Sequence, residues 1–251
     1  MKLNNFLADT TLVLFHGTLQ RRTVWTQLIT ELTNSGVDES LILTPDLYED
    51  NPPNLAEWIE EISKSIKTAF YIPIGYSLGG RFALDLAHIK PSQLKKIVLM
   101  ATDPGIDDND QEERELQINR DQKWADKFSN MNWVDLINEW NQLPTFAGKP
   151  NPTILTENNF NRASLSRLWL LCSKGKNPNR WPEVDKIANP GLVITGELDK
   201  KFDAFATKIA KSNPNFSHVQ IPGVGHRVGW EEPKKFTEIL INFLIENSEE
   251  K

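Results

Sequence analysis

The chain has 251 residues, 25% of them charged and 39% hydrophobic, with a net charge of −6. That is the makeup of one soluble globular domain, or of one domain with a sizeable insertion, and it excludes a disordered, fibrous or collagen-like chain. It also leaves no basic footprint for nucleic acid or an anionic membrane, so an anionic ligand would need positive charge gathered locally.

Cys172 is the only cysteine, so no intramolecular disulfide forms, in keeping with a reducing compartment. Met1 to Asp9 lacks the basic-then-apolar layout of a signal peptide. No apolar run approaches the roughly 18 residues of a membrane span. The expected compartment is the cytoplasm, and a monomer is compatible with all of this.

Short β-rich runs alternate with helical stripes, the rhythm of a mostly parallel sheet flanked by helices. Thr11 to Phe15 predicts a strand ending at His16-Gly17, followed by a helix striped by Trp25, Leu28, Ile29 and Leu32. Leu41 to Leu43 predicts a second strand, and Leu55, Ile59, Ile62 and Ile66 mark the next helix. Ala69 to Ile74 predicts the third strand. Pro73 is awkward there, because a central strand needs every N–H, and is placed at the strand's end where pairing has ceased. A helix over Leu78 to Ile89 and a strand over Lys96 to Ala101 follow.

Between Thr102 and Asp185 no strand is predicted, and the segment holds Trp124, Trp133, Trp140, Trp169 and Trp181. This predicts a helical cap over a pocket, inserted at 102–185, with 186–251 completing the core. Any single tryptophan is better read as filling the cap's own small core. Strands over Leu192 to Thr195 and His218 to Ile221 come late, with helices over Phe202 to Ala210 and Pro233 to Glu246.

Gly75-Tyr76-Ser77-Leu78-Gly79 is a G-x-S-x-G sequence between a predicted strand and helix, a context far more specific than the five residues alone. A serine hydroxyl is inert at neutral pH and needs a base, which itself needs orienting. Asp199 follows one late strand and His226 follows the next, so the order Ser77, Asp199, His226 fits a relay on an α/β-hydrolase fold. Glu197 is the alternative acid. His88, late in a helix, and His218, at a strand's start, read as structural. His16 precedes Gly17-Thr18, and the backbone N–H groups of Thr18 and Leu78 would form the oxyanion hole. There is no Walker A sequence, no H-E-x-x-H and no cysteine cluster, so neither a metal nor another cofactor is expected.

Arg81 lies one turn into a helix whose N-terminus already carries positive partial charge, an arrangement an anionic ligand would favour. The competing reading is a solvated arginine whose stem covers apolar surface. On the dipole argument alone, removing it costs no stability.

The extended elbow Gly75-Tyr76-Ser77-Leu78-Gly79-Gly80-Arg81 resembles that of the 2-succinyl-6-hydroxy-2,4-cyclohexadiene-1-carboxylate synthases, α/β-hydrolase-fold lyases of menaquinone and phylloquinone biosynthesis. Arg120-Asp121-Gln122-Lys123-Trp124-Ala125, the run Glu139 to Ala147 (Glu139-Trp140-Asn141-Gln142-Leu143-Pro144-Thr145-Phe146-Ala147), Gly196 to Phe202, and Gly225-His226 are similar as well. The resemblance implies elimination of pyruvate from an enolpyruvyl cyclohexene bearing several carboxylates. It further implies a relay of Ser77, His226 and Asp199 that abstracts a ring proton without a covalent acyl-enzyme. Tyr76, Arg81, Arg120 and Trp140 match family positions that hold this small polycarboxylate, and arginine suits it because the guanidinium fork binds carboxylates bidentately.

The chain departs from the family in two places. Thr18-Leu19-Gln20-Arg21-Arg22 stands where an aromatic residue and a glycine are usual. An arginine expected shortly after the W-x-x-x-P run has no clean match, Thr156 falling near that place and Arg162 and Arg167 later. A serine esterase or C–C hydrolase using Ser77 as acylating nucleophile, and a non-catalytic receptor on the same fold, are the competing functions.

Overall fold

The structure is a computed structural model that describes residues 7–246, so most of the Met1 to Asp9 stretch compared above with a signal peptide lies outside the described residues. Six parallel strands form one sheet in the order β2-β1-β3-β4-β5-β6. They are β1 (Thr10–Phe15), β2 (Ile42–Leu43), β3 (Phe70–Tyr76), β4 (Ile97–Met100), β5 (Gly191–Gly196) and β6 (Phe216–Ile221). β1, β4 and β5 are buried along their whole length, as near-continuous apolar strands covered on both faces must be.

One face carries α2 (Leu55–Ser65) and α3 (Leu78–Ile89), whose Trp58, Ile59, Phe82 and Leu86 pack on Val13, Tyr71 and Leu99. The other carries α1 (Thr26–Asn34) and, near the chain's end, α9 (Pro233–Ile245), with Leu28, Leu32, Phe236 and Leu240 on Leu12, Ile72 and Val98. Lys96, expected as an ordinary strand residue, is buried. Among the described residues its ammonium pairs with no carboxylate and donates to the carbonyls of Phe243, at 2.5 Å, and Glu246, at 2.8 Å, where the negative end of α9 favours a cation.

Pro73 is a correction. β3 runs on to Tyr76, with Pro73 beside Val13 in a central strand. Phe70 N–H donates to Asp9 on the β1 side while Tyr71 C=O accepts from Lys95 on the β4 side, so residue 73, two beyond 71, also faces β4. On that side the register jumps from Tyr71↔Leu94 to Ile74↔Val98, an extra residue in the β4 segment. The missing N–H therefore falls in a bulge, where no ladder bond was available.

Between β4 and β5 come α4 (Gln111–Asn130), α5 (Trp133–Asn141), α6 (Arg162–Leu171) and α7 (Trp181–Lys186), with no strand among them. Asp110, Asn132 and Asn161 cap the first three by accepting backbone N–H bonds at their starts. Phe128, Leu136, Trp140, Phe146 and Leu165 form a separate small core, against which Trp124, Trp133 and Trp169 pack. α7 belongs to the main body instead: Val184, Ile187 and Trp181 join the core beneath the sheet. The cap proper thus ends before residue 185. Among the described residues no helix is long and apolar enough to cross a membrane.

Candidate active site

The loops after β1, β3, β4, β5 and β6 converge at the C-terminal edge of the sheet, beside the point where the strand order reverses between β1 and β3. Open α/β sheets bind ligands there.

Ser77 sits between β3 and α3 at φ 52°, ψ −109°, a conformation that costs on the order of 1–3 kcal/mol in a non-glycine residue. Its N–H donates to Met100 C=O at 2.8 Å and its C=O accepts from Gly80 at 3.1 Å, which fix the turn. Glycine is required beside it. A Cβ on Gly79 would lie 2.1 Å from the Phe15 carbonyl oxygen, so any side chain would drive α3 off β1.

The turn aims Ser77 Oγ at His226 Nε2, 3.1 Å away, and His226 Nδ1 lies 2.6 Å from Asp199 Oδ2. The carboxylate favours the tautomer with its proton on Nδ1, leaving Nε2 free to accept from the serine. Asp199 and His226 are buried, and the second carboxylate oxygen, Oδ1, accepts from Thr145 Oγ1 at 3.0 Å. Glu197 is otherwise engaged: its Oε2 accepts from Gly223 N–H at 2.8 Å, tying the loops after β5 and β6 together. His16 accepts from the Leu47 amide, His88 meets Glu183, and His218 meets Thr195, so all three hold structure.

Thr18 and Leu78 both line the pocket in front of Ser77. Leu78 is the first residue of α3, where an amide has no partner within its helix. The Thr18 amide has no acceptor among the described residues. The unusual loop residues around it are accounted for. Leu19 takes a left-handed φ of 56°, which glycine would adopt without strain, and is held by Tyr48 Oη on its amide at 3.1 Å. Arg21 grips Asp46 through Nε at 2.8 Å and Arg22 reaches Glu49 at 3.3 Å, so both pin the loop to the acidic turn Leu47–Asp50 and neither enters the pocket.

The pocket encloses about 390 Å³. Tyr76, Ser77 and His226 form its floor, with Trp140 and Trp169 of the cap above. Four cationic side chains line it, Arg81, Lys174, Lys201 and Arg227, against one carboxylate, Asp103. Lys174 is paired with Asp103. Arg81 donates through Nη1 to the Cys172 carbonyl at 2.8 Å, at the C-terminus of α6, and among the described residues neither it nor Lys201 has a carboxylate within ion-pair distance. Burial, with Arg180 nearby, holds the Arg81 guanidinium below the usual arginine value. Lys201, at the rim, is lowered by burial and by Lys174, and Arg227 is lowered by burial. An anion in the pocket would relieve each of these cations.

Of the residues expected to hold substrate, Tyr76, Arg81 and Trp140 line this pocket, and Arg120 does not. Arg120 is 57% exposed and pairs with Glu113 at 2.9 Å, two turns back along the outer face of α4. Nor do the late arginines reach it. Arg162 caps the C-terminal carbonyls of α4, donating to Met131 at 2.7 Å, and Arg167 fastens α6 to the Pro52 carbonyl at 2.9 Å. Lys174, Lys201 and Arg227 are pocket cations that sequence reasoning did not assign to the site. Lys201 and Arg227 stood two residues past Asp199 and one past His226, which was the available signal.

Residues 12–239 match the model of the alpha/beta hydrolase family. A protein of Bacillus subtilis strain 168, provisionally named a 2-succinyl-6-hydroxy-2,4-cyclohexadiene-1-carboxylate synthase, is 30% identical over 196 residues, 74% of this chain and 70% of that one. The chain belongs to this synthase family within the α/β hydrolases. A relative from Serratia proteamaculans strain 568 carrying the synthase name without qualification is 28% identical over 180 residues, 70% of this chain and 68% of its own. Among solved structures, MenH from S. aureus superposes with a TM-score of 0.79, covering 94% of this chain and 93% of that one at 24% identity. That likeness speaks for the fold.

Proposed function

We propose that the chain eliminates pyruvate from 2-succinyl-5-enolpyruvyl-6-hydroxy-3-cyclohexene-1-carboxylate to give 2-succinyl-6-hydroxy-2,4-cyclohexadiene-1-carboxylate, a step of menaquinone or phylloquinone biosynthesis. The observation that carries this reading is the pocket's excess of cations, three of the four (Arg81, Lys201 and Arg227) without a carboxylate partner among the described residues, on the pocket that Ser77 and His226 also line. A neutral ester has no use for them, whereas this substrate bears a ring carboxylate, a succinyl carboxylate and an enolpyruvyl carboxylate.

The two names define the bond changes. The ring carbon bearing the succinyl group loses a proton that the adjacent ketone makes acidic. The electron pair forms the 2,3 double bond, the 3,4 double bond moves to 4,5, and the carbon–oxygen bond to enolpyruvate breaks. The leaving group takes up a proton to become pyruvate. Ser77, deprotonated through His226 with Asp199 holding the imidazole, is the base. The Thr18 and Leu78 amides receive the charge that develops on the ketone oxygen. Arg81, with Tyr76 and Trp140, orients the substrate, and no acyl-serine forms. No step calls for a cofactor. The chain acts as a cytoplasmic enzyme on a water-soluble small molecule.

The test is incubation with the enolpyruvyl substrate while pyruvate is followed by coupled reduction and the conjugated diene by absorbance. Pyruvate and diene rising together, at a rate proportional to enzyme, is the expected result. Absence of both from a folded chain that hydrolyses simple esters would overturn the reading in favour of a serine esterase.

A further inference from the structure

We infer that the cap turn Pro144–Phe146 positions the relay, acting through the Thr145 hydroxyl on Asp199. The inference rests on the relay assignment above and adds a residue to it. Asp199 is the N-cap residue of α8 (Lys200–Ser212), a place where an aspartate ordinarily accepts from the first helix amides. Its carboxylate makes no such bond. It is turned instead toward His226 through Oδ2, and Oδ1 accepts from Thr145 of the cap at 3.0 Å. A buried carboxylate with one free oxygen would swing or draw in water, so a donor on that oxygen fixes the plane in which the other meets the imidazole.

The neighbouring contacts hold the same turn against the same two residues. The Phe146 ring stands edge-on to His226, centroids 5.6 Å apart at 67°. The Arg227 guanidinium lies over that ring, 3.7 Å from its centroid, and donates to Asn141 Oδ1 at 2.5 Å. Pro144, Thr145 and Phe146 also line the pocket, so a ligand that fills it presses on the turn that braces the relay.

Thr145→Val removes the donor at nearly constant volume and Thr145→Ser keeps it. Two rates are measured for each: pyruvate release, and labelling of Ser77 by a fluorophosphonate, which needs an activated serine but no natural substrate. Loss of a charge-assisted bond predicts that Thr145→Val lowers kcat and the labelling rate about 10-fold with KM changed less than about two-fold, while Thr145→Ser stays within about three-fold of the parent. In an Asp199→Asn background, Thr145→Val is expected to add less than about two-fold, because the partner it acts through is gone. Thr145→Ala serves as the second deletion if the valine variant fails to fold.

The inference is overturned if the deletion variant keeps both rates within about two-fold, if serine is as harmful as valine, or if the loss persists undiminished beside Asp199→Asn. The labelling rate also separates this inference from the proposed reaction. A chain that releases no pyruvate but shows the labelling pattern sinks the lyase reading and keeps the role of Thr145.

Discussion

Ser77, Asp199 and His226 stand at the ends of β3, β5 and β6, whereas Trp140, Thr145, Trp169 and Lys174 come from the cap. The first group inherits its spacing from a sheet whose ladders are continuous at that edge, down to the pairing of Gly196 with Ile221. The second group rides on helices with a separate aromatic core, fastened to the body by a few polar contacts such as Arg81 to Cys172 and Arg167 to Pro52. On the proposed reaction, proton transfer, which tolerates little displacement, falls where the backbone is over-determined, and substrate choice falls where side chains can change without disturbing the sheet. Arg81 belongs to both, rooted in the elbow helix and bonded to the cap, and so does Arg227, which follows His226 and reaches Asn141 and Phe146.

Each side of this comparison can be broken separately. The largest effect is expected from Ser77→Ala, which leaves binding and the amide donors in place but removes the proton acceptor: kcat for pyruvate release should fall about 10³-fold or more, with the melting curve little changed. Near-normal kcat would dissolve the sheet-edge half of the account.

Arg81→Ala attacks the junction. Losing a charge-assisted contact of about 1.5–3 kcal/mol corresponds to roughly a 10- to 150-fold loss in kcat/KM for the polycarboxylate, with cleavage of a small neutral ester nearly unchanged. The dipole argument alone promises no cost in stability. The bond to the Cys172 carbonyl reverses that expectation, and a melting temperature lower by a few degrees is predicted. Equal losses on both substrates would return Arg81 to a purely structural role.

Acid stability probes the junction from the loop side. Burial alone would push the Asp46 carboxyl up; His16, the Arg22 amide and Arg21 outweigh it and hold it well below the ordinary value of 3.8. A depressed carboxylate stabilises the fold above its unfolded value and ceases to do so as pH falls through the folded one. Asp46→Asn should therefore melt below the parent at pH 7, by about 2 kcal/mol or more in stability, with the gap closing as pH drops below 3.8. A gap independent of pH would show that packing, not charge, is what Asp46 contributes.

The smallest effect is expected at Arg120. The family resemblance assigns it to substrate, but its exposed pairing with Glu113 predicts that Arg120→Ala changes kcat/KM less than about three-fold. A loss as large as that at Arg81 would mean that α4 turns inward when substrate binds.

The meeting of Ser77, Asp199 and His226 was legible in the sequence because the fold dictates their places: strand, glycine-bracketed serine and helix, then an acid and a histidine after the two late strands. The bend at Pro73 was not, because its cost depends on which neighbour the missing N–H faces, and that follows from the bulge in the β4 segment. The pocket cations were legible only in part. Arg81 is announced by its place at a helix start, but Lys174 and Arg227 point inward because of how the cap packs, and Lys200 and Lys201 differ only by the rotation of one residue along α8. Arg120 was expected from the family resemblance alone, and the sequence does not show which way it faces: α4 is polar around most of its circumference, so its inner face, marked by Asp121, Ala125 and Phe128, does not stand out as an apolar stripe.

The claim that a sheet-edge relay here serves as a base, with the cap helping to hold the polycarboxylate, meets its most direct test in the mass of the intact chain quenched during turnover. With the enolpyruvyl substrate in excess and pyruvate accumulating, the account predicts the unmodified mass at every time point. An adduct on Ser77 that forms and decays at the rate of product release would contradict it and make the serine an acylating nucleophile.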